Sequence, residues 1–361
     1  MTVRPLRVGV IGLGWAGQQH LEAYRAIRGV EVVALAGQEA DLLAELGRRH
    51  EVPATFARWE DLVELPGLDA VSIAVPTWLH APIAVAALRR GAHVLSEKPI
   101  ARTGDEAQTM VDAARAAGRV LDVVFNHRRR GDVMALSDLI ARGAIGRPYY
   151  ARASWLRRNG IPRLGSWFVN EEMSGGGPLV DIGVHVLDWS LHLLGEPRVL
   201  SASAATYSEL GPRGRGGGDR DTLTHETSAY EVEDFASAFL RLEGGGTLAL
   251  ETGWATYRDP VDVMDFTVYG TEGGAEWRAV GATDVPVADV QVFTERGGHP
   301  ADHTITAQPG RAHQAVVEEF VDVVRGDPGT WSAHDGSHAL TRARVIDACY
   351  RSAREHREVA L

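Results

Sequence analysis

The sequence predicts an α/β protein of two domains, in which a doubly wound parallel sheet is followed by an α+β half with an antiparallel sheet. Three observations predict this order. Short hydrophobic runs alternate with helical patterns as far as Phe125, and longer strands joined by turns replace them afterwards. The length of 361 residues also exceeds what a single core usually organises. We therefore expect domains at residues 1–127 and 128–361.

The strands of the first half are continuous hydrophobic runs, which is typical of a sheet that helices cover on both faces. They are predicted at Leu6–Ile11, Val30–Ala36, Ala70–Val75, His93–Ser96 and Val120–Phe125. Helical patterns lie between them at Ala16–Ile27, Ala40–Arg49, His80–Arg90 and Gly104–Ala117. Strands that alternate with helices need right-handed crossovers, so the sheet is predicted to be parallel.

In the second half the strands are longer and follow one another through turns. They are predicted at Pro148–Leu156, Val199–Tyr207, Glu231–Leu242, Thr247–Tyr257, Val261–Tyr269 and Asp289–Thr294. Helices are predicted at Val133–Ala141, Asp181–Leu194, Ala312–Arg325 and Gly336–Arg351. The glycines 244–246 indicate a hairpin, which makes this sheet antiparallel. The glycine-rich segment Ser208–Ser228 is interpreted as a mobile loop.

Composition and charge exclude several classes of protein. The net charge of −11 argues against nucleic acid or an anionic membrane as partner, because nothing offsets the repulsion of phosphates. The single cysteine, Cys349, excludes an intrachain disulfide and a cysteine-based zinc cluster. No apolar run approaches the roughly 20 residues that span a bilayer, and glycines interrupt the apolar N-terminus where a signal peptide needs a continuous stretch. We therefore expect a cytoplasmic protein.

A glycine-rich turn follows the first strand and opens the first predicted helix. Its residues are Gly12, Leu13, Gly14, Trp15, Ala16 and Gly17. The first glycine allows the tight turn, the second lets the backbone approach a pyrophosphate, and the third permits close helix–strand packing. The helix N-terminus adds free N–H groups for the phosphates. A plain strand–helix turn is the alternative, but the position between a strand and a helix favours a dinucleotide site.

The end of the second strand bears on the choice between the two nicotinamide dinucleotides. An acidic residue there usually binds the ribose 2′-hydroxyl of NAD, whereas an arginine accepts the 2′-phosphate of NADP. This chain has Gly37, Gln38 and Glu39 instead. The Glu39 carboxylate would repel a 2′-phosphate, so we expect NAD or NADP with a lean to NAD.

Two further segments contain candidate catalytic residues. Lys98 ends the His93–Ser96 strand region and precedes a proline, which places it at the carboxyl edge where ligands of such sheets bind. A solvated surface lysine is the alternative. Three glycines before Pro178 lead into Asp181 and His185, which are four apart and would share a helix face. A histidine can accept a hydroxyl proton, and a neighbouring carboxylate can orient it.

A metal site is the alternative for this second segment, because Asp188 and His192 continue the same face. Four ligands would, however, spread over about 16 Å of helix, which is too far for one ion. Polar residues on a buried face usually bond to each other. We therefore expect no metal, and we interpret Asp188 and His192 as structural.

Together these motifs resemble the glucose–fructose oxidoreductase/inositol dehydrogenase (Gfo/Idh/MocA) family, over nearly the whole chain. The resemblance rests on Gly12–Gly17, Pro76-Thr77 with His80, Glu97-Lys98-Pro99, Gly175–Pro178 with Asp181 and His185, Glu233-Asp234-Phe235, and Tyr350-Arg351-Ser352. It implies an N-terminal Rossmann domain followed by an α+β domain with an open, mainly antiparallel sheet. In the family that sheet commonly supports dimers or tetramers, so a homodimer or homotetramer is implied.

The resemblance also assigns roles to residues. Lys98, Asp181 and His185 match the catalytic positions. The residues implied on the cofactor side, in addition to the glycine turn, Gly37–Glu39 and Lys98, are Ala74, Pro76, Thr77, His80, Glu97, Asn126 and Trp167. A cis peptide bond before Pro99 is common in the family.

The function implied is hydride transfer between a secondary hydroxyl of a sugar, cyclitol or sugar derivative and NAD(P). His185 would take the hydroxyl proton, Lys98 would stabilise the oxygen, and Asp181 would hold His185 or a second hydroxyl. Three alternatives remain open. They are glycoside cleavage through transient oxidation by a tightly bound NAD, reduction of a ketose or imine, and a non-catalytic, dinucleotide-sensing regulatory protein of the same fold.

Overall fold

The computed structural model of the protein describes residues 4–217, 230–259, 261–281 and 287–361. It divides into two compact units, Met1–Asn126 with His313–Ala343 and His127–Ala312 with Arg344–Leu361. A late segment thus returns to the first unit, which a single boundary along the sequence cannot express. The limits 1–127 and 128–361 stay a prediction for the two domains.

The first unit contains a six-stranded parallel sheet in the order β3-β2-β1-β4-β5-β6. Its strands are β1 (Leu6–Ile11), β2 (Val30–Ala36), β3 (Ala54–Phe56), β4 (Ala70–Ile73), β5 (His93–Ser96) and β6 (Leu121–Val123). The helices between them are α1 (Trp15–Ala26), α2 (Ala40–Arg49), α3 (Trp59–Val63), α4 (His80–Arg89) and α5 (Gly104–Ala117). This strand order is that of the dinucleotide-binding doubly wound fold, with its switch point between β1 and β4.

The second unit is built on a nine-stranded sheet in the order β14-β13-β12-β11-β7-β10-β9-β8-β15. Its strands are β7 (Pro148–Arg157), β8 (Val199–Tyr207), β9 (Phe235–Leu242), β10 (Thr247–Gly253), β11 (Asp262–Gly270), β12 (Gly273–Val280), β13 (Val290–Arg296), β14 (His299–Ile305) and β15 (Val359–Ala360). The β7–β10 pair is parallel and the other pairs are antiparallel. The predicted fold class, including the mainly antiparallel second sheet, is confirmed.

Four helices precede β8 in this unit. They are α6 (Gly131–Ala141), α7 (Glu171–Ser174), α8 (Pro178–Asp181) and α9 (Gly183–Leu193). Helix α9 packs on β7 and β10 and is buried almost all round, with Val186 and Trp189 fully inaccessible. A helix that is enclosed by a core is mostly apolar, and its buried polar side chains need hydrogen-bond partners.

Two helices close the chain, α10 (Ala312–Arg325) and α11 (Ser337–Glu355). Helix α10 belongs to the first unit, where Val317, Phe320 and Val321 are buried in the same hydrophobic cluster as Val8 and Val10 of β1. The apolar face of α10 therefore completes the core of the parallel-sheet unit. Residues of α11 up to Ala343 belong to the first unit, and those from Arg344 to the second.

The predicted helix Asp181–Leu194 is wrong as one continuous helix. Helix α8 ends at Asp181 and α9 begins at Gly183, with Ile182 between them at φ −98° and ψ −27°. A Cβ on Gly183 would lie 3.1 Å from the side chain of Thr252, so this junction is tightly packed against a strand. Asp181 therefore ends one helix, and His185 lies in the first turn of the next.

Several elements were not predicted because their local signals are weak. Strand β3 and helix α3 have three and five residues, which is too short for a periodic pattern. Strand β14 contains a proline and is largely exposed at the sheet edge. The two glycines between β13 and β14, at φ 59° and 79°, form the hairpin turn that holds it.

The glycine-rich segment Ser208–Ser228 is described only as far as residue 217. In that part the carboxylate of Asp234 accepts the backbone N–H groups of Leu210 and Gly211, and the Ser208 hydroxyl donates to the carbonyl of Val232. This part of the segment is anchored, and the rest of the predicted loop lies outside the described residues. Within the described ranges, the helices lack the combined length and apolar character that a membrane span requires.

Candidate active site

The predicted cofactor residues of the first unit all follow the carboxyl ends of parallel strands. The glycine turn follows β1, Gly37–Glu39 follows β2, and Glu97 with Lys98 follows β5. The others, after β4 and β6, are Ala74, Pro76, Thr77, His80 and Asn126. Fifteen positions that are scattered along 115 residues of sequence are thereby brought to one edge of the sheet, including its switch point.

The glycine turn has the geometry that its motif predicts. Gly12 has φ 94°, and a Cβ there would overlap the carbonyl oxygen of Ala74. A Cβ on Gly17 would overlap the carbonyl oxygen of Gly12, so helix and strand approach closely. Around Gly14, in contrast, no described residue other than its immediate neighbours in the chain approaches within 4 Å of where a Cβ would stand. The open side of Gly14 is where a phosphate group can approach the backbone.

The start of α1 is also suited to an anion. Gly14 is its N-cap and has no side chain with which to cap the first N–H groups, and the first turn contains no acidic residue. The positive end of the helix dipole is therefore available to a ligand. These features fit the pyrophosphate of a dinucleotide.

The segment after β2 is shaped by Gly37, where a Cβ would overlap the side chain of Leu13 from the glycine turn. Glu39 is exposed and forms the N-cap of α2 without a side-chain capping bond. Its carboxylate is therefore not committed to the helix start. The absence of an arginine at residues 37–39 leaves the acidic Glu39 as the charged group here.

His80 lies among the predicted cofactor residues but contacts the protein backbone. Its Nδ1 is 2.8 Å from the carbonyl oxygen of Pro99, and its Nε2 is 2.9 Å from that of Val75. Burial lowers the pKa of His80, so the neutral ring has one N–H to donate to these two carbonyls. His80 links the segment after β4 to the segment after β5, and Thr77 beside it is buried as well.

Lys98 is half-buried and is joined to Pro99 by a cis peptide bond, as the resemblance implied. Its backbone N–H donates to Oε2 of Glu97 at 3.1 Å. Lys98 is also the single lysine of the sequence, since the other 36 of its 37 basic residues are arginines. An ammonium is a compact point charge that shifts its protonation more readily than a guanidinium, so the two are not equivalent at a reacting centre.

Glu97 lies in a buried cluster with two histidines that were not predicted. Its Oε1 is 3.1 Å from Nε2 of His20 in α1 and 3.3 Å from Nε2 of His313 in α10. Burial alone would raise the pKa of the Glu97 carboxyl, but the bonds from the two imidazoles hold it well below its ordinary value. Glu97 is therefore ionised at neutral pH.

The second unit contains the remaining predicted residues. Trp167 lies in a short 3₁₀ turn and stacks on Phe168, with 3.8 Å between ring centroids. Asp181 is half-buried, and its Oδ2 accepts the indole N–H of Trp254 at 2.9 Å. His185 is buried in the first turn of α9.

The surroundings of His185 are aromatic. The ring of His127 lies 4.4 Å from that of His185, and Trp155 lies 5.9 Å away. Trp189, one turn further along α9, contacts His127 at 5.5 Å. His127 directly follows Asn126 in the sequence and gave no pattern of its own, so only the fold identifies it as a neighbour of His185.

The loop before Asp181 is held by a second buried carboxylate, Glu233. It accepts the backbone N–H groups of Gly177 and Leu179 and the hydroxyl of Tyr350, each at 2.9 Å. Burial raises the pKa of Glu233 despite these donors. A Cβ on Gly176, which has φ 150°, would overlap the Tyr350 hydroxyl. The glycines of this loop are therefore needed because other parts of the chain press against it.

Asp188 and His192, which were interpreted as structural, lie on α9. Both oxygens of Asp188 accept bonds from the guanidinium of Arg128, at 2.6 and 2.7 Å. Burial lowers the pKa of His192. Arg128 thus neutralises the carboxylate on the buried face of α9.

The residues that the sequence analysis missed are the partners of those that it found. They are Ser72, His20 and His313 near Glu97, and His127 near His185. Tyr350, which belongs to one of the family motifs, contacts Glu233 and Gly176. His20 had a usable signal, because it lies three residues after Gly17 and so falls on the helix face that packs on the sheet. The other contacts join residues far apart in sequence.

Comparison with known proteins identifies relatives along the whole chain. The profile described as "Oxidoreductase family, NAD-binding Rossmann fold" matches residues 6–125, and the "GFO/IDH/MocA C-terminal domain" profile matches residues 133–276. A D-glucoside 3-dehydrogenase of Escherichia coli K12 is 30% identical over 100% of this chain and 99% of its own length.

A levoglucosan dehydrogenase of Pseudarthrobacter phenanthrenivorans is 32% identical over 84% of this chain and 81% of its own length. Among solved structures, a levoglucosan dehydrogenase in complex with NADH and L-sorbose superposes with a TM-score of 0.81 and 25% identity, covering 99% of each chain. With matches over both halves, the chain belongs to the Gfo/Idh/MocA family of NAD(P)-dependent oxidoreductases.

Proposed function

We propose that the protein oxidises a secondary hydroxyl of a sugar, cyclitol or sugar derivative with NAD(P) as hydride acceptor. The observation that carries the proposal is the chain's single lysine, half-buried at the carboxyl end of β5 in a sheet whose first helix begins with uncapped N–H groups. The relatives named above act on glucosides and on levoglucosan, which supports a pyranose-type substrate.

The dinucleotide, when bound, supplies the hydride acceptor, and the residues of this chain supply binding and proton transfer. The N–H groups at the start of α1 would hold the pyrophosphate, with Gly14 giving it access to the backbone. His185 would take the proton of the substrate hydroxyl. Lys98 would donate a hydrogen bond to that oxygen, and Asp181 would hold His185 or a second hydroxyl of the substrate.

The experiment is an absorbance screen at 340 nm with NAD and NADP against D-glucosides, levoglucosan, free sugars, inositols and sugar acids. Net formation of NADH or NADPH on one of these is the expected result, and it argues against redox-neutral glycoside cleavage. On the same substrate, His185→Ala is expected to lower kcat by about 10²–10⁴-fold, the usual contribution of a general base. His303→Ala, at an exposed position of β14, is the matched control and should retain full turnover.

Lys98 has a second, sharper pair of variants. Lys98→Met removes the charge, and Lys98→Arg keeps it while replacing the ammonium by a larger planar group. Both are expected to bind NADH and barely turn over. Full activity in Lys98→Arg would show that positive charge alone is needed there, and full activity in Lys98→Met would remove the assigned role.

The lean to NAD rests on the uncommitted carboxylate of Glu39. We expect NADH to bind more tightly than NADPH in a fluorescence titration, and Glu39→Gln to narrow the difference. Tighter binding of NADPH by the wild type would contradict this lean. A protein that binds dinucleotide but turns over no member of the panel would instead be a sensing protein.

We also propose a homodimer or homotetramer. Aromatic side chains on one face of the second sheet are substantially exposed, and a contiguous exposed apolar face commonly marks a protein interface. By strand register these include Phe239, Tyr269 and Phe293, which are 39%, 48% and 40% exposed. Light scattering coupled to gel filtration measures the assembly, and a monomer at micromolar concentration would contradict it.

A further inference from the structure

His313 makes three contacts with residues of the predicted cofactor site, although it lies 187 or more residues further along the chain than each of them. Its Nε2 is 3.3 Å from Oε1 of Glu97, and its Nδ1 is 3.4 Å from the side-chain nitrogen of Asn126. Its ring also meets the Trp15 ring edge-on, with 5.1 Å between centroids. One side chain of α10 therefore contacts the segments that follow β1, β5 and β6.

The hydrogen bonds determine which ring nitrogen of His313 holds the proton. The amide nitrogen of Asn126 is a donor, so Nδ1 of His313 accepts, and the N–H is left on Nε2, facing Glu97. His20 is held in a similar way, because its Nδ1 is 2.7 Å from the Ser72 hydroxyl and its Nε2 is 3.1 Å from Glu97. Both imidazoles can therefore donate to the same carboxylate oxygen.

These two donors fix the Glu97 carboxylate in one orientation. Oε1 receives both imidazoles, and Oε2 is left for the backbone N–H of Lys98. His20, Glu97 and His313 are all more than 90% buried, so water is a poor substitute for a lost donor. Any rotation of the carboxylate would break bonds at both of its oxygens and would release the amide of Lys98.

The geometry points to His313 as a positioning residue that acts on Lys98 through Glu97. This inference rests on the proposed function, because it takes Lys98 to be the residue that stabilises the substrate oxygen. His313 holds Oε1, the carboxylate holds the Lys98 amide through Oε2, and the ammonium is thereby kept at a fixed place at the sheet edge. A displacement of about 1 Å at a reacting centre can cost about 100-fold in rate, so such support has a measurable effect.

The backbone before His313 has an unfavourable conformation, which indicates that the position of His313 is constrained. Ala312 has φ 38°, in the left-handed region that residues with a Cβ rarely occupy. Strain of this kind persists only where the surrounding structure enforces it. Here the cluster of Val317, Phe320 and Val321 fixes α10, and the contacts of His313 fix its first turn.

The test compares His313→Gln, His313→Asn and His313→Leu with the wild type. Glutamine places an amide N–H near the position of Nε2 and should retain at least half of kcat. Asparagine is too short to reach Glu97, and leucine has no donor, so both should lower kcat about tenfold or more, as expected for the loss of a hydrogen bond to a charged group. Dissociation constants for NADH and KM for the sugar should change less than threefold. His303→Asn is the matched surface control.

A second readout does not depend on turnover. Because Lys98 is the chain's single lysine, an amine-acetylating reagent modifies one lysine side chain. Mass spectrometry of the peptide that contains Lys98 can follow this reaction. Acetylation of Lys98 should be several-fold faster in His313→Asn than in the wild type or His313→Gln, because its backbone is less restrained. Since asparagine keeps a polar side chain, this variant still tests the proposal if His313→Leu fails to fold.

Three results would overturn the inference. The first is that the wild type is active and that His313→Asn has the same kcat and the same rate of Lys98 acetylation as the wild type. The second is an equal loss in kcat and in NADH affinity, which would make His313 a simple cofactor-binding residue. The third is stoichiometric zinc in the purified wild type that His313→Asn lacks, because the ligand atoms of His20, Glu97 and His313 all lie within 4.8 Å of one another. A wild type inactive on the whole panel would refute the proposed function, and this inference with it.

Discussion

Glu97 and Glu233 are both buried carboxylates, yet their pKa values are shifted in opposite directions. Glu97 lies in the first unit and receives two imidazoles and one backbone N–H, and its pKa is held well below the ordinary value. Glu233 lies in the second unit and receives two backbone N–H groups and a phenol, and burial raises its pKa. The comparison teaches that the kind of donor, and not burial alone, decides the direction in which the pKa of such a carboxyl is shifted.

The largest loss of stability is expected on replacement of Glu97, whose negative charge receives the stronger hydrogen-bond donors. Glu97→Leu leaves the N–H groups of His20 and His313 buried without their acceptor, and it removes a favourably ionised group. We expect the free energy of unfolding at pH 7 to fall by about 3–5 kcal/mol, measured by urea denaturation. Glu45→Leu, at an exposed position of α2, should change it by less than about 0.5 kcal/mol. A loss below about 1 kcal/mol for Glu97→Leu would contradict the network.

Glu233→Leu should cost less, about 2 kcal/mol, although it removes as many hydrogen bonds. The raised pKa of Glu233 means that its ionised form is already unfavourable in the folded protein, so removing it also removes that desolvation cost. The same urea series measures it. A loss equal to or larger than that of Glu97→Leu would mean that the two carboxylates do not differ in the way described.

The pH dependence of stability should have opposite signs at the two sites. The folded pKa of Glu97 is lowered, so its contribution is present above the ordinary value of 4.5 and is lost as pH falls. The folded pKa of Glu233 is raised, so its contribution is largest below 4.5 and declines as pH rises. The free energy of unfolding of the wild type minus that of Glu97→Gln should decrease as pH falls below 4.5. The corresponding difference for Glu233→Gln should decrease as pH rises above 4.5.

Each of these changes approaches about 1.4 kcal/mol per pH unit at most, the value for one proton. Subtracting the curve of each glutamine variant from the wild-type curve removes the titration of groups that both proteins share, such as His80. Urea denaturation of the wild type, Glu97→Gln and Glu233→Gln from about pH 2.5 to about pH 7 gives the three curves. Parallel slopes for the two sites would refute the assignment of opposite pKa directions.

The smallest effect is expected at Tyr350, which gives Glu233 one of its three donors. Tyr350→Phe removes the hydroxyl and should lower the free energy of unfolding by about 1 kcal/mol. Tyr257→Phe, at a position that is 79% exposed in the same unit, is the matched control with no expected change. Equal stability of Tyr350→Phe and the wild type would show that the two backbone donors hold Glu233 alone.

The sequence predicts the fold well because its signals are local. Continuous apolar runs located β1, β2 and β5 to the residue, and the glycine turn placed the start of α1 within one position. The same local character explains the failures. The junction at Ile182 depends on how Gly183 packs against Thr252, which lies about 70 residues away, so a helical pattern across 181–194 could not reveal it.

The candidate site was predictable to a similar extent. Motifs identified Glu97, Lys98 and Glu233, because each lies in a short string of recognisable residues. Their partners His313 and Tyr350 are 216 and 117 residues away, and nothing in a single sequence reports such a pairing. The sequence thus indicates why a given residue type is needed at a position. The three-dimensional structure is required to identify the distant group that holds that residue in place.

The placement of Val317, Phe320 and Val321 beside Val8 and Val10 has a consequence for biosynthesis. After Asn126 is synthesised, about 190 residues must be added before α10 begins, which takes on the order of ten to forty seconds at ~5–20 residues per second. During that interval the nascent parallel sheet exposes the apolar surface that α10 later covers. A shortened chain that ends near residue 126 would leave that apolar surface exposed permanently.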